Sequence, residues 1–171
     1  SKIKEAIDSG LKDIGENKVQ EAARKFRFIN ESGIKVKKHM VGHLQTNKVK
    51  EALNNFDLIH SVDSNKLAVE ISKIAGKLNK IAEVLIQVNT SGEEQKYGLT
   101  PKDVEDLIDE VLKLENIKVL GLMTMAPFTE DKSIVHKCFK DLKILFDSLA
   151  EKYSGNDRVE MKYLSMGMTN D

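Results

Sequence analysis

The residues best equipped for chemistry crowd into Lys38-His39-Met40-Val41-Gly42-His43-Leu44-Gln45-Thr46-Asn47-Lys48. Val36 to Val41 reads as a short strand, Gly42 as a turn, and a helix begins near Thr46. His43, Gln45, Thr46, Asn47 and Lys48 put hydrogen-bonding side chains at that junction. Ligands of strand–helix repeats bind at the carboxyl ends of the strands, so the junction asks for a polar ligand. His39 and His43 lie four apart, which would suit a metal on a helix. Here they straddle a strand end, point to different sides of the turn and have no third ligand nearby, so a metal is rejected. His43 fits a hydrogen-bonding place on a pocket rim, and His60, ending another strand, fits a similar one. His136 reads as helix surface. Lys48 could attract phosphate, though a solvated helix lysine is the simpler reading, and the cluster Lys35, Lys37, Lys38 and Lys48 could bind an anion.

A second polar turn closes the chain, with Ser165, Gly167 and Thr169 in succession. Backbone N–H groups in a glycine-containing turn, with a hydroxyl beside them, suit a phosphate dianion. From spacing alone an ordinary Ser/Gly turn explains it as well. Asn17, in Gly15-Glu16-Asn17, reads on its own as a helix cap. Glu16 suits the helix dipole better than acid–base work.

These turns need elements to hold them. A helix over 2–9 stops at Gly10. Strand candidates follow at Leu11–Gly15, Val36–Val41, Leu58–Val62, Ile81–Val88, Ile117–Leu122 and Val159–Leu164. Ile81–Val88 is nearly continuous in apolar residues, as suits a parallel strand covered on both faces. Helices alternate with the strands. One carries Val19, Ala22, Ala23 and Phe26 and closes at Ser32-Gly33; the next carries Val49, Ala52 and Leu53. Another carries Leu67, Ile71, Ile74 and Leu78, capped by Asp63 or Ser64. A fourth starts at Thr100-Pro101-Lys102-Asp103, with a hydroxyl cap and a proline at its first position. A long helix capped by Ser133 carries Val135, Cys138, Phe139, Leu142, Leu145, Phe146 and Leu149.

Alternation of this kind leaves an open doubly wound sheet or a (β/α)8 barrel. No G-x-G-x-x-G follows a strand, and the regular repeat favours the barrel. A full barrel has eight strands in about 250 residues. The 171 residues supply six strand candidates, beginning on a helix and ending on a strand. The expectation is one α/β domain over residues 1–171, an incomplete TIM-type barrel with its first and last strands missing from this chain.

Composition narrows the partners. Lys+Arg and Asp+Glu number 27 each, which argues against bulk electrostatic binding to nucleic acid or an anionic membrane. No apolar run approaches a membrane span. The single cysteine, Cys138, falls in an apolar helical pattern and suits buried packing in a reducing, cytoplasmic setting. The expected partner is a small molecule, with no nucleic acid, no membrane, and a monomer or weak homodimer.

Gly15-Glu16-Asn17-x-Val19-Gln20-Glu21 and His39-Met40-Val41-Gly42-His43-Leu44-Gln45-Thr46-Asn47-Lys48 resemble the pyridoxal-phosphate homeostasis protein family. These are single-domain relatives of the barrel domain of bacterial alanine racemase. Gln87-Val88-Asn89, Gly121 to Pro127 and Leu164 to Met168 continue the resemblance in order along the whole chain. It implies an alanine racemase N-terminal-class barrel with pyridoxal 5′-phosphate at the carboxyl ends of its strands. It implies cofactor contacts at Asn17, His43, Met123, Ser165, Met166 and Gly167, with Ser165 and Gly167 on the phosphate side. Met123, Met125, Met166 and Met168 could pack against the pyridine ring or simply fill the barrel top. The family's Schiff-base lysine falls upstream of Ser1, and an arginine-glycine-threonine segment falls downstream of Asp171. Neither is among these residues, so impaired cofactor retention is expected of this chain.

The implied function is buffering or delivery of the cofactor without catalysis, since no second domain or evident acid–base pair is present. The alternatives are a pyridoxal-phosphate-dependent amino-acid racemase or decarboxylase of the same barrel class, and an unrelated phosphate-binding barrel enzyme.

Overall fold

The computed structural model describes residues 2–31, 33–93 and 95–167, without the side chains of Lys2, Phe28 and Asn30. The expectations placed on Ser32, Met168 and Thr169 lie outside the described residues. The strands are β1 (Asp13–Glu16), β2 (Lys37–Met40), β3 (Leu58–Val62), β4 (Ala82–Gln87), β5 (Ile117–Met123) and β6 (Val159–Ser165). The helices are α1 (Lys2–Asp8), α2 (Val19–Glu31), α3 (Val49–Asn55), α4 (Asn65–Lys77), α5 (Val104–Val111) and α6 (Lys132–Lys152). Single 3-10 turns lead into α3 and α5.

The six strands form one sheet in the order β1-β2-β3-β4-β5-β6, every neighbouring pair parallel. Each strand is therefore laid beside its predecessor after one helical crossover, the winding of a (β/α) barrel. Among the described residues β1 and β6 are the two edges and do not pair with each other. The sheet is nonetheless curled. His60 on β3 and Ser165 on β6 are hydrogen-bonded at 3.0 Å, although a flat sheet would hold those strands about 14 Å apart.

Curling separates two apolar regions. The larger lies between the sheet's outer face and the helices, and joins Met40, Ile59, Val84, Ile86, Val119 and Leu122 to Phe26, Ala52, Leu67, Ile71, Ile108 and Leu142. The smaller lies on the inner face, where Leu58, Leu85, Leu120 and Met123 pack with Val41 and Tyr163. Alternation along each strand assigns its residues to one region or the other. Gly121 marks where β5 and β6 slip in register. Its φ is +141°, and a Cβ there would stand 1.9 Å from the Tyr163 carbonyl oxygen, so only glycine fits.

Several helix starts differ in detail from the sequence expectation. Ser64 does cap α4, accepting from the Leu67 N–H. Asp131, not Ser133, caps α6: its carboxylate accepts from both the backbone N–H and the hydroxyl of Ser133. The Thr100 hydroxyl donates to the Asp103 carboxylate and makes no cap bond to the backbone. The Asp131 carboxylate takes two donors at once and so displaces the hydroxyl as cap, whereas Thr100 spends its hydroxyl on Asp103.

Candidate functional site

All the polar turns picked out above follow the carboxyl ends of strands, and parallel winding puts those ends on one side of the sheet. Two groups of side chains assemble there.

The first group joins the turns after β1 and β2. Asn17, Met40, His43, Gln45 and Lys48 line a hollow of about 180 Å³. Beside it, His43, Gln45, Thr46, Asn47, Asp63 and Ser64 line another of about 390 Å³. The two turns touch through Gly42, where a Cβ would stand 2.2 Å from the Asn17 carbonyl oxygen. The His43 ring stacks on Tyr97 at 3.9 Å between centroids, and its Nδ1 is 3.6 Å from an Asp63 carboxylate oxygen. Its side chain is about one third exposed, which is a rim position. Of the four lysines expected to cluster here, Lys48 is paired with Glu51 at 3.4 Å and Lys37 with Glu83 at 3.0 Å.

The second group joins β3, β5 and β6. Met123 and Ser165 are register partners on adjacent strands. Met123 is buried in the inner apolar region, as a filler of the barrel top would be. Met166 is exposed, and Gly167 has φ +79°, a left-handed turn residue. The Thr124 N–H donates to the Ser165 carbonyl, and its hydroxyl donates to the Val88 carbonyl at 2.7 Å. Thr90 meets Thr124 hydroxyl to hydroxyl at 3.0 Å, tying the turn after β4 to the turn after β5. Asn89 folds that β4 turn by accepting from the Ser91 hydroxyl and the Gly92 N–H.

Beneath Ser165 runs a line of hydrogen bonds. The Ser165 hydroxyl is 3.0 Å from His60 Nδ1, His60 Nε2 is 2.8 Å from His39 Nδ1, and His39 Nε2 is 3.0 Å from an Asp13 carboxylate oxygen. His60 is only 8% exposed, so it is an interior group rather than the rim group expected. Burial, then the charges of His39 and Lys37, push its pKa down to about 4, so it is neutral near pH 7. His39 and His43 do part company at the strand end as expected: one faces His60, the other Tyr97. Among the described residues no group of three or more His, Cys, Asp and Glu could hold a metal ion. His136 is exposed on α6.

Sequence reasoning missed Thr124, Thr90, Tyr97 and the buried histidine pair. One signal was available. His60 stands in a fully buried strand, Leu58–Val62, that is apolar apart from itself and Ser61, and a polar residue inside a parallel strand is the informative exception.

Comparison with known proteins bears on what such a mouth holds. Residues 2–171 match the family model described as alanine racemase, N-terminal domain. A pyridoxal phosphate homeostasis protein of Aquifex aeolicus is 43% identical over 169 residues, covering 99% of this chain and 72% of that protein. PipY of Synechococcus elongatus superposes without PLP at a TM-score of 0.89, with 31% identity over 99% of this chain and 77% of that one. PipY with PLP bound superposes at 0.86, with 30% identity and the same coverage. Alanine racemase of Clostridium difficile superposes at 0.75 with 20% identity, covering 95% of this chain and 43% of that one, a likeness of fold alone.

Proposed function

We propose that this chain, which belongs to the alanine racemase N-terminal domain family and within it to the pyridoxal phosphate homeostasis proteins, binds pyridoxal 5′-phosphate at the carboxyl ends of its strands and buffers or delivers it without turning over a substrate. The observation that carries this reading is the placement of Ser165. Its hydroxyl ends β6 two residues before the left-handed Gly167, and a buried neutral imidazole holds it from below.

The donor set fits the group. Ser165 offers a hydroxyl and the Gly167 turn offers backbone N–H groups, both suited to a phosphate dianion. Met166 lies exposed beside them, and Met123 backs the strand end with a polarizable thioether. Asn17 and His43 would supply an amide and an imidazole from the turns after β1 and β2, where both line one hollow. When bound, pyridoxal 5′-phosphate supplies an aldehyde that condenses reversibly with amines. The Thr90–Thr124 contact ties the turn after β4 to the turn after β5, and the Tyr97–His43 stack ties the turn after β2 to the loop that carries Tyr97.

Carriage fits better than catalysis because the imidazole nearest Ser165 has no free nitrogen. His60 spends one on Ser165 and the other on His39. An acid–base catalyst needs a nitrogen within reach of the reacting atoms. A cytoplasmic setting suits the buried thiol of Cys138, and among the described residues no helix is long and apolar enough to cross a membrane.

Equilibrium dialysis with pyridoxal 5′-phosphate tests this. Saturable binding is expected, weakened about tenfold in Ser165→Ala through loss of a charge-assisted hydrogen bond. Incubation with L-alanine and excess cofactor is expected to leave the amino acid unracemised. Absence of binding, or steady racemisation, would overturn the proposal.

A further inference from the structure

With His60 neutral, the hydrogen-bond line under Ser165 can be written in only two ways. The Asp13 carboxylate accepts from His39 Nε2–H. If His39 is neutral, its Nδ1 has no hydrogen and must accept from His60 Nε2–H. A neutral His60 then has a bare Nδ1, which must accept from the Ser165 hydroxyl. In this first arrangement the Ser165 hydrogen points inward, and the oxygen facing the mouth offers only lone pairs. Such an oxygen repels a phosphate dianion. In the second arrangement every hydrogen shifts one place. His39 carries hydrogens on both nitrogens, His60 carries its hydrogen on Nδ1 and donates to Ser165, and the Ser165 hydroxyl is released to donate outward.

We infer that Asp13, His39 and His60, in line behind Ser165, form a proton relay that turns the serine hydroxyl outward when a phosphate dianion arrives, so that binding takes up one proton. This rests on the proposed phosphate contact at Ser165. The proton balance is complete. The Ser165 hydrogen passes to His60 Nδ1, the His60 Nε2 hydrogen passes to His39 Nδ1, and Ser165 regains a hydrogen from water at the mouth, whose hydroxide is neutralised by the one solvent proton taken up. The net positive charge comes to rest on His39, against the Asp13 carboxylate. His60 is neutral in both arrangements, in keeping with its burial.

The surroundings bear on that charge. Lys37, on the same face of β2 as His39, opposes it, but Lys37 is itself answered by Glu83 of β4 at 3.0 Å and by the Tyr163 hydroxyl of β6. Lys118 of β5 is paired with Glu160 of β6 at 3.2 Å. Asp13 is therefore the carboxylate left to answer His39, 3.0 Å away, and its side chain is 63% exposed. Asp13, His39 and His60 are positioning residues: they act on the ligand through Ser165.

The test is ¹⁵N NMR of histidine-labelled protein at pH 8, titrated with pyridoxine 5′-phosphate. That probe carries the phosphate, which is dianionic well above its second pKa of about 6, and lacks the aldehyde. Without the probe, His60 is expected as the Nε2–H tautomer; at saturation it is expected as Nδ1–H, with His39 doubly protonated. Calorimetry in buffers of different ionisation enthalpy should read uptake of about one proton per probe bound. Asp13→Asn, at an exposed position, should bind about tenfold more weakly and lose that uptake, because the charged hydrogen bond to His39 is gone. A bound probe with an unchanged His60 tautomer, or an Asp13→Asn variant with undiminished uptake, overturns the relay and leaves the proposed function standing. A probe that does not bind overturns both.

Discussion

Lys37 Nζ lies 3.4 Å from the phenolic oxygen of Tyr163, although β2 and β6 stand four strands apart in the sheet. Laid flat, those strands would be about 19 Å from each other. The contact therefore measures curvature, and the same curvature brings His60 to Ser165. Lys37 also holds Glu83 at 3.0 Å, so three strands meet at one ammonium group inside the curl. Burial pushes the Lys37 pKa down, but the Glu83 carboxylate and the Tyr163 oxygen more than offset this, and the net direction is upward.

Tyr163→Phe should keep the ring and lose one hydrogen bond, at a cost of about 1 kcal/mol. Tyr163→Ala should empty part of the inner apolar region and cost about 2–4 kcal/mol. Urea unfolding of the two variants checks the ordering. Equal costs would mean that the hydroxyl, not the ring, holds β6 in place.

Gly121→Ala should be far worse than Gly155→Ala. Both have positive φ, at +141° and +78°. A Cβ at Gly121 meets the Tyr163 carbonyl at 1.9 Å, whereas at Gly155 nothing lies within 4 Å. The expected costs are about 3–5 kcal/mol at Gly121 and about 1 kcal/mol at Gly155, from the difference in denaturation midpoints.

Stability should fall on acidification through His60. Its folded pKa of about 4 lies below the ordinary 6.5, so the unfolded chain takes up a proton that the folded one refuses. The contribution is complete above pH 6.5 and is lost as the pH falls toward 4, amounting to about 3 kcal/mol across that window. His60→Gln should flatten this part of the curve in unfolding measured from pH 7 to pH 4. A variant with the wild-type slope would place the acid sensitivity elsewhere.

Gly42→Ala should destabilise the turns after β1 and β2 and weaken binding of pyridoxal 5′-phosphate. The new methyl group would lie 2.2 Å from the Asn17 carbonyl and 2.9 Å from its Cα, so the Asn17 turn must move. A displaced Asn17 should cost about 1.4 kcal/mol, tenfold in affinity. Circular dichroism and dialysis on one preparation separate the two effects.

The sequence alone determined the alternation of elements. Leu58–Val62 is legible to the residue as β3, because it is the apolar run in the short stretch between the α3 end at Asn55 and the Ser64 cap. The apolar pattern points to Leu11–Gly15 for β1, whereas the strand runs Asp13–Glu16: Leu11 is exposed, and Lys37 N–H pairs with the Lys12 carbonyl just before the strand. The helix faces were readable, since Leu67, Ile71, Val104, Leu107 and Ile108 follow the 3.6-residue period and are all buried. Local spacing also marked Asn17, His43 and Ser165 as polar residues at strand ends, because strand and turn are both short-range patterns.

Only the tertiary structure decided which of these groups meet. Asp13, His39, His60 and Ser165 are separated by 26, 21 and 105 positions, and no local pattern ties them together. They form one line because the sheet curls and aims alternate side chains of β1, β2, β3 and β6 at a common interior. Curvature comes from strand twist and from packing summed over every strand and helix. That is why each histidine was visible in the sequence and their partnership was not.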